Sequence, residues 1–166
     1  MRAEAIGEKK RHDKFMEAAL NAARKSIQRK DGTPFGAVVV RDGEIIAEGR
    51  NMTFAEMDPS AHSEVVAIRN ACKKLNRLDL SDCVLYTSSE PCPMCMGVIY
   101  WAGIREIFYT TNAKEAAAYG FSGMKLKLAA ADQFKNYGLK MVSMNKESGI
   151  QVFKEWKRSQ IQNHMK

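Results

Sequence analysis

The sequence predicts an α/β domain in which helices cover both faces of a mixed central sheet of about five strands. Two patterns carry that expectation. The first is a hairpin: the apolar run Phe35–Val40 meets Asp42-Gly43 and returns as Glu44–Gly49, and Asp-Gly between such runs favours a tight two-residue turn. The second is alternation. From Ser63 onwards, helical and strand periodicities take turns, the order expected where crossover helices join later strands. The length of 166 residues suits one domain, residues 1–166, and no repeat, low-complexity tract or linker divides it.

The elements follow in order. Between Lys14 and Gln28, Phe15, Ala18, Ala19, Ala22, Ala23 and Ile27 recur at helical spacing and mark one face of an amphipathic helix. Asp31-Gly32-Thr33-Pro34 stops it. After the hairpin, a loop from Asn51 to Ser60 leads to Ala61-His62, and Ser63–Leu75 regains the helical period. Cys83–Thr87 reads as a buried third strand. Pro91 and Pro93 suit a helix first turn, where a missing N–H costs little, so a helix runs from Pro93 to about Ala102. Glu106–Tyr109 is strand four, Ala113–Tyr119 a short Ala-rich helix, Leu139–Met144 a fifth strand and Ile150–Gln162 a C-terminal helix.

Composition narrows the class. No window reaches the ~18 consecutive apolar residues of a membrane helix. The N-terminal stretch Met1–Lys14 is polar with no apolar segment behind it, so a cytoplasmic location is expected. A reducing compartment argues against pairing Cys72, Cys83, Cys92 and Cys95 as disulfides. The formal charge of +7 fits either a solvated Lys-rich surface or attraction to a polyanion such as RNA. The basic residues are dispersed and no aromatic-rich strand accompanies them, so charge alone argues weakly for RNA.

The chemistry lies in His62-Ser63-Glu64 and Pro91-Cys92-Pro93-Met94-Cys95. One helix, one turn and one strand fill Val65–Glu90, which lets two helix starts lie side by side at one sheet edge. Cys92 and Cys95 then share one side of a first turn. A helix N-terminus favours the thiolates a metal requires. Two thiolates and an imidazole suit Zn²⁺. His62, Cys92 and Cys95 are three ligands, and catalytic zinc sites keep a fourth position for water. His12 and His164 lie near the termini, and Cys72 and Cys83 sit on apolar elements, so no fourth ligand is expected. Zinc lowers the pKa of bound water to near neutrality, making hydroxide available as nucleophile. Glu64 falls beside that water, where it can move a proton to the ring nitrogen and the leaving amine. A lone Cys-x-x-Cys is more often a redox pair or structural half-site, but H-x-E with P-C-x-x-C is the zinc deaminase pattern.

At these residues the chain resembles the cytidine deaminase superfamily, and most of all its guanine and guanosine deaminases. The likeness runs from about Pro34 to Phe121 and includes Pro34–Val40, Asp58–Glu64, Ser81-Asp82-Cys83, Glu90–Cys95 and Ile99–Ala102. The resemblance implies a three-layer α/β/α fold, zinc on His62, Cys92 and Cys95, and Glu64 as proton shuttle. It implies a substrate pocket involving Asn51, Phe35, Ala61 and Trp101, with Asn51 bonding the base. It also implies a homodimer in which the C-terminal helix, about residues 150–163, completes the partner's site. On the residues alone, Asn51 reads equally well as a turn residue, and Phe35 and Trp101 as core aromatics. Two positions depart from the pattern. Ser63 stands where Ala is usual, a harmless change. Ser122-Gly123 follows Gly120-Phe121 where guanine enzymes carry Asp-Asp, which removes a carboxylate acceptor for guanine's N–H groups. Asp132 or Glu147 would be the alternative acceptors.

The leading expectation is a nucleobase deaminase acting on guanine. Cytosine, a nucleoside, isocytosine or an aminotriazine are alternative small substrates. A tRNA-editing adenosine deaminase carries the same zinc constellation and would account for the basic charge. The Gly-Ala-Ala-Gly-Ser segment of those enzymes is missing here. A non-catalytic zinc-stabilised domain ranks last, because Glu64 would then have no task.

Overall fold

A computed structural model describes residues 2–121 and 123–131. Its elements run α1 (Arg2–Arg29), β1 (Gly36–Arg41), β2 (Glu44–Arg50), α2 (Ser63–Leu75), β3 (Val84–Ser89), α3 (Pro93–Trp101), β4 (Glu106–Thr111), α4 (Ala113–Ala118) and α5 (Gly123–Ala131). Four described strands form one sheet in the order β2-β1-β3-β4. Strand β1 pairs antiparallel with both β2 and β3, whereas β3 and β4 are parallel, so the sheet is mixed. The expected fifth strand, Leu139–Met144, and the C-terminal helix lie outside the described residues.

The alternation along β1 explains the layering. Val38 and Val40 pack with Phe15, Ala19 and Tyr86 on the α1 side. Ala37 and Val39 face the other way, into a core with Ala67, Ile68 and Ala71 of α2 and Ile99 of α3. A strand buried on both faces reads as a near-continuous apolar run, as Ala37–Val40 does. The β1–β2 turn uses Asp42 at φ 51° and Gly43 at φ 78°, the left-handed pair of a tight hairpin turn.

Two elements differ from the sequence expectation. Helix α1 begins at Arg2 rather than near Lys14. Its first turns are highly charged and lack an apolar stripe, so periodicity marks only the part that covers the sheet. Helix α5 was not expected, since Gly123–Ala131 joins small, apolar and Lys residues without a clear stripe. Among the described residues no helix is long and apolar enough to cross a membrane.

Glycines set how closely helices approach the sheet. A Cβ built on Gly36 would lie 2.2 Å from Ala19 O and 2.3 Å from Ala23 N in α1. One on Gly49 would lie 2.2 Å from Ser63 O and 2.3 Å from Ala67 N in α2. These are backbone atoms that cannot swing aside. Gly36→Ala and Gly49→Ala should therefore each cost about 1–3 kcal/mol or more, a fall of roughly 2–12 °C in Tm for a domain of this size. Gly97→Ala is the control: nothing lies within 4 Å of its built Cβ in α3, so thermal melting should show no loss and a gain of about 0.5–1 kcal/mol.

Candidate active site

The site is built from two helix starts. His62 is the N-cap of α2, with φ −69° and ψ 154°, and Cys92 the N-cap of α3, with φ −71° and ψ 166°. Neither side chain caps its own helix; the imidazole and thiol turn towards each other instead. The chain entering α2 is ordered by Asp58, whose Oδ1 accepts from Ser60 N at 2.8 Å and Ser60 Oγ at 2.7 Å. Ala61 N donates to Asp58 O, and His62 N to Ser60 O. Pro93 at the start of α3 gives up no helical hydrogen bond, and Cys95 follows within the first turn.

His62 Nδ1 lies 3.7 Å from Cys92 Sγ and 3.5 Å from Cys95 Sγ, and the two sulfurs are 3.6 Å apart. A tetrahedral zinc with Zn–S of about 2.3 Å and Zn–N of about 2.0–2.1 Å would set those edges at roughly 3.5–3.8 Å. The donor triangle therefore already has the size zinc requires, and its composition is a zinc set. Cys95 is fully buried and Cys92 half-buried. The bond from the Cys95 thiol and the imidazole beside it push Cys92 down to about 4, so this sulfur is a thiolate. In turn the Cys92 sulfur raises the His62 imidazole above its ordinary value. Cys72 and Cys83 take no part; burial and the Asp82 carboxylate push Cys83 up to about 11.

Glu64 sits two residues into α2 and is 6% exposed. Burial raises its carboxyl above the usual range. Ser63, fully buried, donates its hydroxyl to Glu64 Oε2 at 2.8 Å. Ser63 thus supplies a hydrogen bond to the carboxylate from its own helix turn.

A cavity of about 300 Å³ opens over these groups, lined by His62, Glu64 and Cys92 together with Phe35 and Asn51. Asn51 is buried, and its Oδ1 accepts from Thr33 N (3.3 Å), Thr53 N (3.2 Å) and Thr53 Oγ1 (2.8 Å). Two of those donors are backbone N–H groups, which fixes the amide orientation. Phe35 meets Phe121 edge to face, with ring centres 5.0 Å apart. Two expected positions do not line the cavity. Ala61 is buried directly before His62, its carbonyl accepting from Met52 N. Trp101 is 86% exposed at the end of α3: Cys95 and Ile99 occupy the inward face of that helix, and a residue two further on points away.

The sequence reading assigned no role in the site to Thr33, Ser89, Glu90, Ala113, Ala116 or Phe121, all of which line the cavity. The Ala113/Ala116 spacing is the one local signal that would have found the α4 wall. Ser122 lies outside the described residues, as do Asp132 and Glu147, and Gly123 opens α5.

Comparison with known proteins agrees with this geometry. Residues 9–111 match the cytidine and deoxycytidylate deaminase zinc-binding region. A guanine deaminase from Bacillus subtilis is 51% identical over 110 residues, 66% of this chain and 70% of that protein. A solved guanine deaminase structure from Bacillus subtilis superposes with a TM-score of 0.80 at 40% identity, covering 89% of this chain and 94% of the other. A tRNA-specific adenosine deaminase from Aquifex aeolicus is 35% identical over 101 residues, 61% of this chain and 66% of that protein. With a matched zinc-binding region, a shared fold and a donor triangle of zinc dimensions, this chain belongs to the cytidine and deoxycytidylate deaminase family, hydrolases that act on C–N bonds.

Proposed function

We propose that the chain hydrolyses guanine to xanthine and ammonia. The observation that carries this reading is the extent of the structural likeness: the solved Bacillus guanine deaminase superposes over 89% of this chain and 94% of its own at a TM-score of 0.80, against 60% and 76% at 0.58 for a solved chain from work on tRNA:A34 deaminases. The open-mouthed cavity over Glu64, about 300 Å³, is of a size to suit a single planar base.

Zinc held by His62, Cys92 and Cys95 would supply water acidified to near neutrality. Glu64, buried at the cavity, takes one proton from the attacking water and passes it to the ring nitrogen. As the carbon–oxygen bond forms and the carbon–nitrogen bond breaks, the remaining proton of that water passes through Glu64 to the departing nitrogen, which leaves as ammonia while the ring carbon becomes a carbonyl. The Ser63 hydroxyl holds the carboxylate on the cavity side of α2. Asn51, its oxygen engaged by Thr33 and Thr53, presents its amide N–H₂ to an acceptor on the base. Phe35 and Phe121 supply apolar edges against the ring. The homodimer implied by the resemblance predicts twice the chain mass in sedimentation.

The test is ammonia release from zinc-loaded protein against guanine, guanosine, adenine, cytosine, cytidine, isocytosine and aminotriazines. Guanine turnover is expected; activity confined to another member would move the substrate and keep the chemistry. Tight gel-shift binding of tRNA at physiological salt, with no base turned over, would replace the reading by tRNA editing. Glu64→Gln should retain zinc while kcat falls by about 10²–10⁴. Chelation should abolish ammonia release and added Zn²⁺ restore it. Asn51→Ala removes a buried hydrogen-bonding group, so KM should rise about five- to a hundredfold.

A further inference from the structure

We propose that Glu90 is a positioning residue whose carboxylate pins α4 as one wall of the cavity; the inference rests on reading that cavity as the base site. The cavity has two walls of different character. One is the loop Pro91–Pro93 at the start of α3, which carries Cys92; the other is Ala113 and Ala116 of α4, followed by Gly120 and Phe121. Ala113 and Ala116 are three apart, so they share one helix face.

Helix α4 has six residues, none of them buried. So short a helix is marginal by itself, and with no buried side chain it gains little from core packing. Its place rests on α5 beside it, on the Phe121–Phe35 ring contact just after it, and on polar ties. Three of these ties are internal. Asn112 Oδ1 accepts from Lys114 N at 2.9 Å and Glu115 N at 3.0 Å, and the Glu115 carboxylate accepts from Asn112 N at 2.7 Å. They shape the helix without locating it. The remaining first-turn donor, Ala113 N, reaches outside α4 to Glu90 Oε2 at 2.9 Å.

Glu90 is itself well anchored. Its N–H donates to Thr111 O at 2.7 Å, and Ser89 Oγ donates to the same carbonyl at 3.1 Å. Thr110 and Thr111 hydroxyls donate back to Ser88 O. The ends of β3 and β4 are thereby laced together directly before Pro91 and Cys92. The carboxylate thus links the loop carrying a metal ligand to the wall carrying Phe121. A negative group at a helix start is also favoured by the N-terminal partial charge. Loosening this link lets the α4 wall move away from Phe35, while His62, Glu64, Cys92 and Cys95 keep their positions on α2 and α3. Base binding should suffer more than chemistry.

The experiment uses the full zinc-loaded chain with Glu90→Ala, Glu90→Gln and Ala113→Pro. Proline is tolerated at the first helical position and removes only the donor, and Asn112 already has the extended backbone that a following proline requires. Readouts are zinc content, amide hydrogen exchange across residues 114–118, and KM and kcat for the base the wild type turns over. Glu90→Ala and Ala113→Pro should each speed exchange in α4 about tenfold, the effect of losing one hydrogen bond to a charged group. Each should raise KM about tenfold and change kcat about threefold or less, with zinc retained. The double variant should be no worse than either alone, because both remove one interaction. Glu90→Gln, whose amide oxygen still accepts, should recover most of the loss. Unchanged α4 exchange in both Glu90→Ala and Ala113→Pro would overturn the proposal. So would a fall in kcat at constant KM, which would place Glu90 in the chemistry. If the wild type turns over no base, the exchange measurement still decides the link, and only the substrate reading fails.

Discussion

Two helices must begin within a few ångströms of each other, and most of this fold serves that requirement. An imidazole on one helix and two thiols on the other form a triangle with edges of 3.5–3.7 Å. A shift of one ångström would spoil it for a metal. Fixing two independent helices so closely takes a rigid floor, which the sheet provides. Gly49 of β2 lets α2 settle onto the strand at Ser63 and Ala67, and Ile68 and Ile99 bring α2 and α3 into one core over β1 and β3. Close packing transmits position, because a core at crystal-like density has little room to yield.

The same geometry sets the electrostatics. Helix starts present positive partial charge, and here two of them face a pair of sulfurs and a buried carboxylate. Bonds from the Cys95 thiol and N–H and from the His62 imidazole keep Cys92 ionised in spite of burial. Glu64 experiences the opposite balance, since desolvation outweighs the Ser63 hydroxyl and the nearby imidazole and leaves its carboxyl raised. A buried carboxyl that can hold a proton destabilises the fold slightly and is useful to proton transfer. Such conflicts between stability and chemistry gather at active sites.

Around this rigid core the walls are less firmly built. The His62 and Cys92 side of the cavity belongs to helices with buried residues, while α4 has none. The candidate metal ligands therefore lie on the best-packed elements around the cavity. The facing wall of the cavity lies on a shorter, more exposed element, where substitutions are tolerated by the fold.

Much of this was legible in the sequence. The hairpin, α2 and its neighbours follow from apolar period and turn chemistry, and α2 begins and ends where its pattern does. His62, Glu64, Cys92 and Cys95 were legible because their chemistry needs fixed residue types at fixed spacing on helix starts. Local spacing does not say which way a helix face points once it is packed. Trp101, given to the pocket by the resemblance and to the core by its aromatic ring, is instead exposed, because Cys95 and Ile99 take the inward face of α3. The first turns of α1 carry no apolar stripe, so nothing local marked them as helix. The link from Glu90 to Ala113 joins two elements through one strand pairing, and Asn51's orientation depends on Thr33 across a turn. The sequence alone determined the periodic elements and the metal-binding chemistry, because both are local. Tertiary structure decided which walls enclose the cavity, because that depends on how separate elements stack across the sheet.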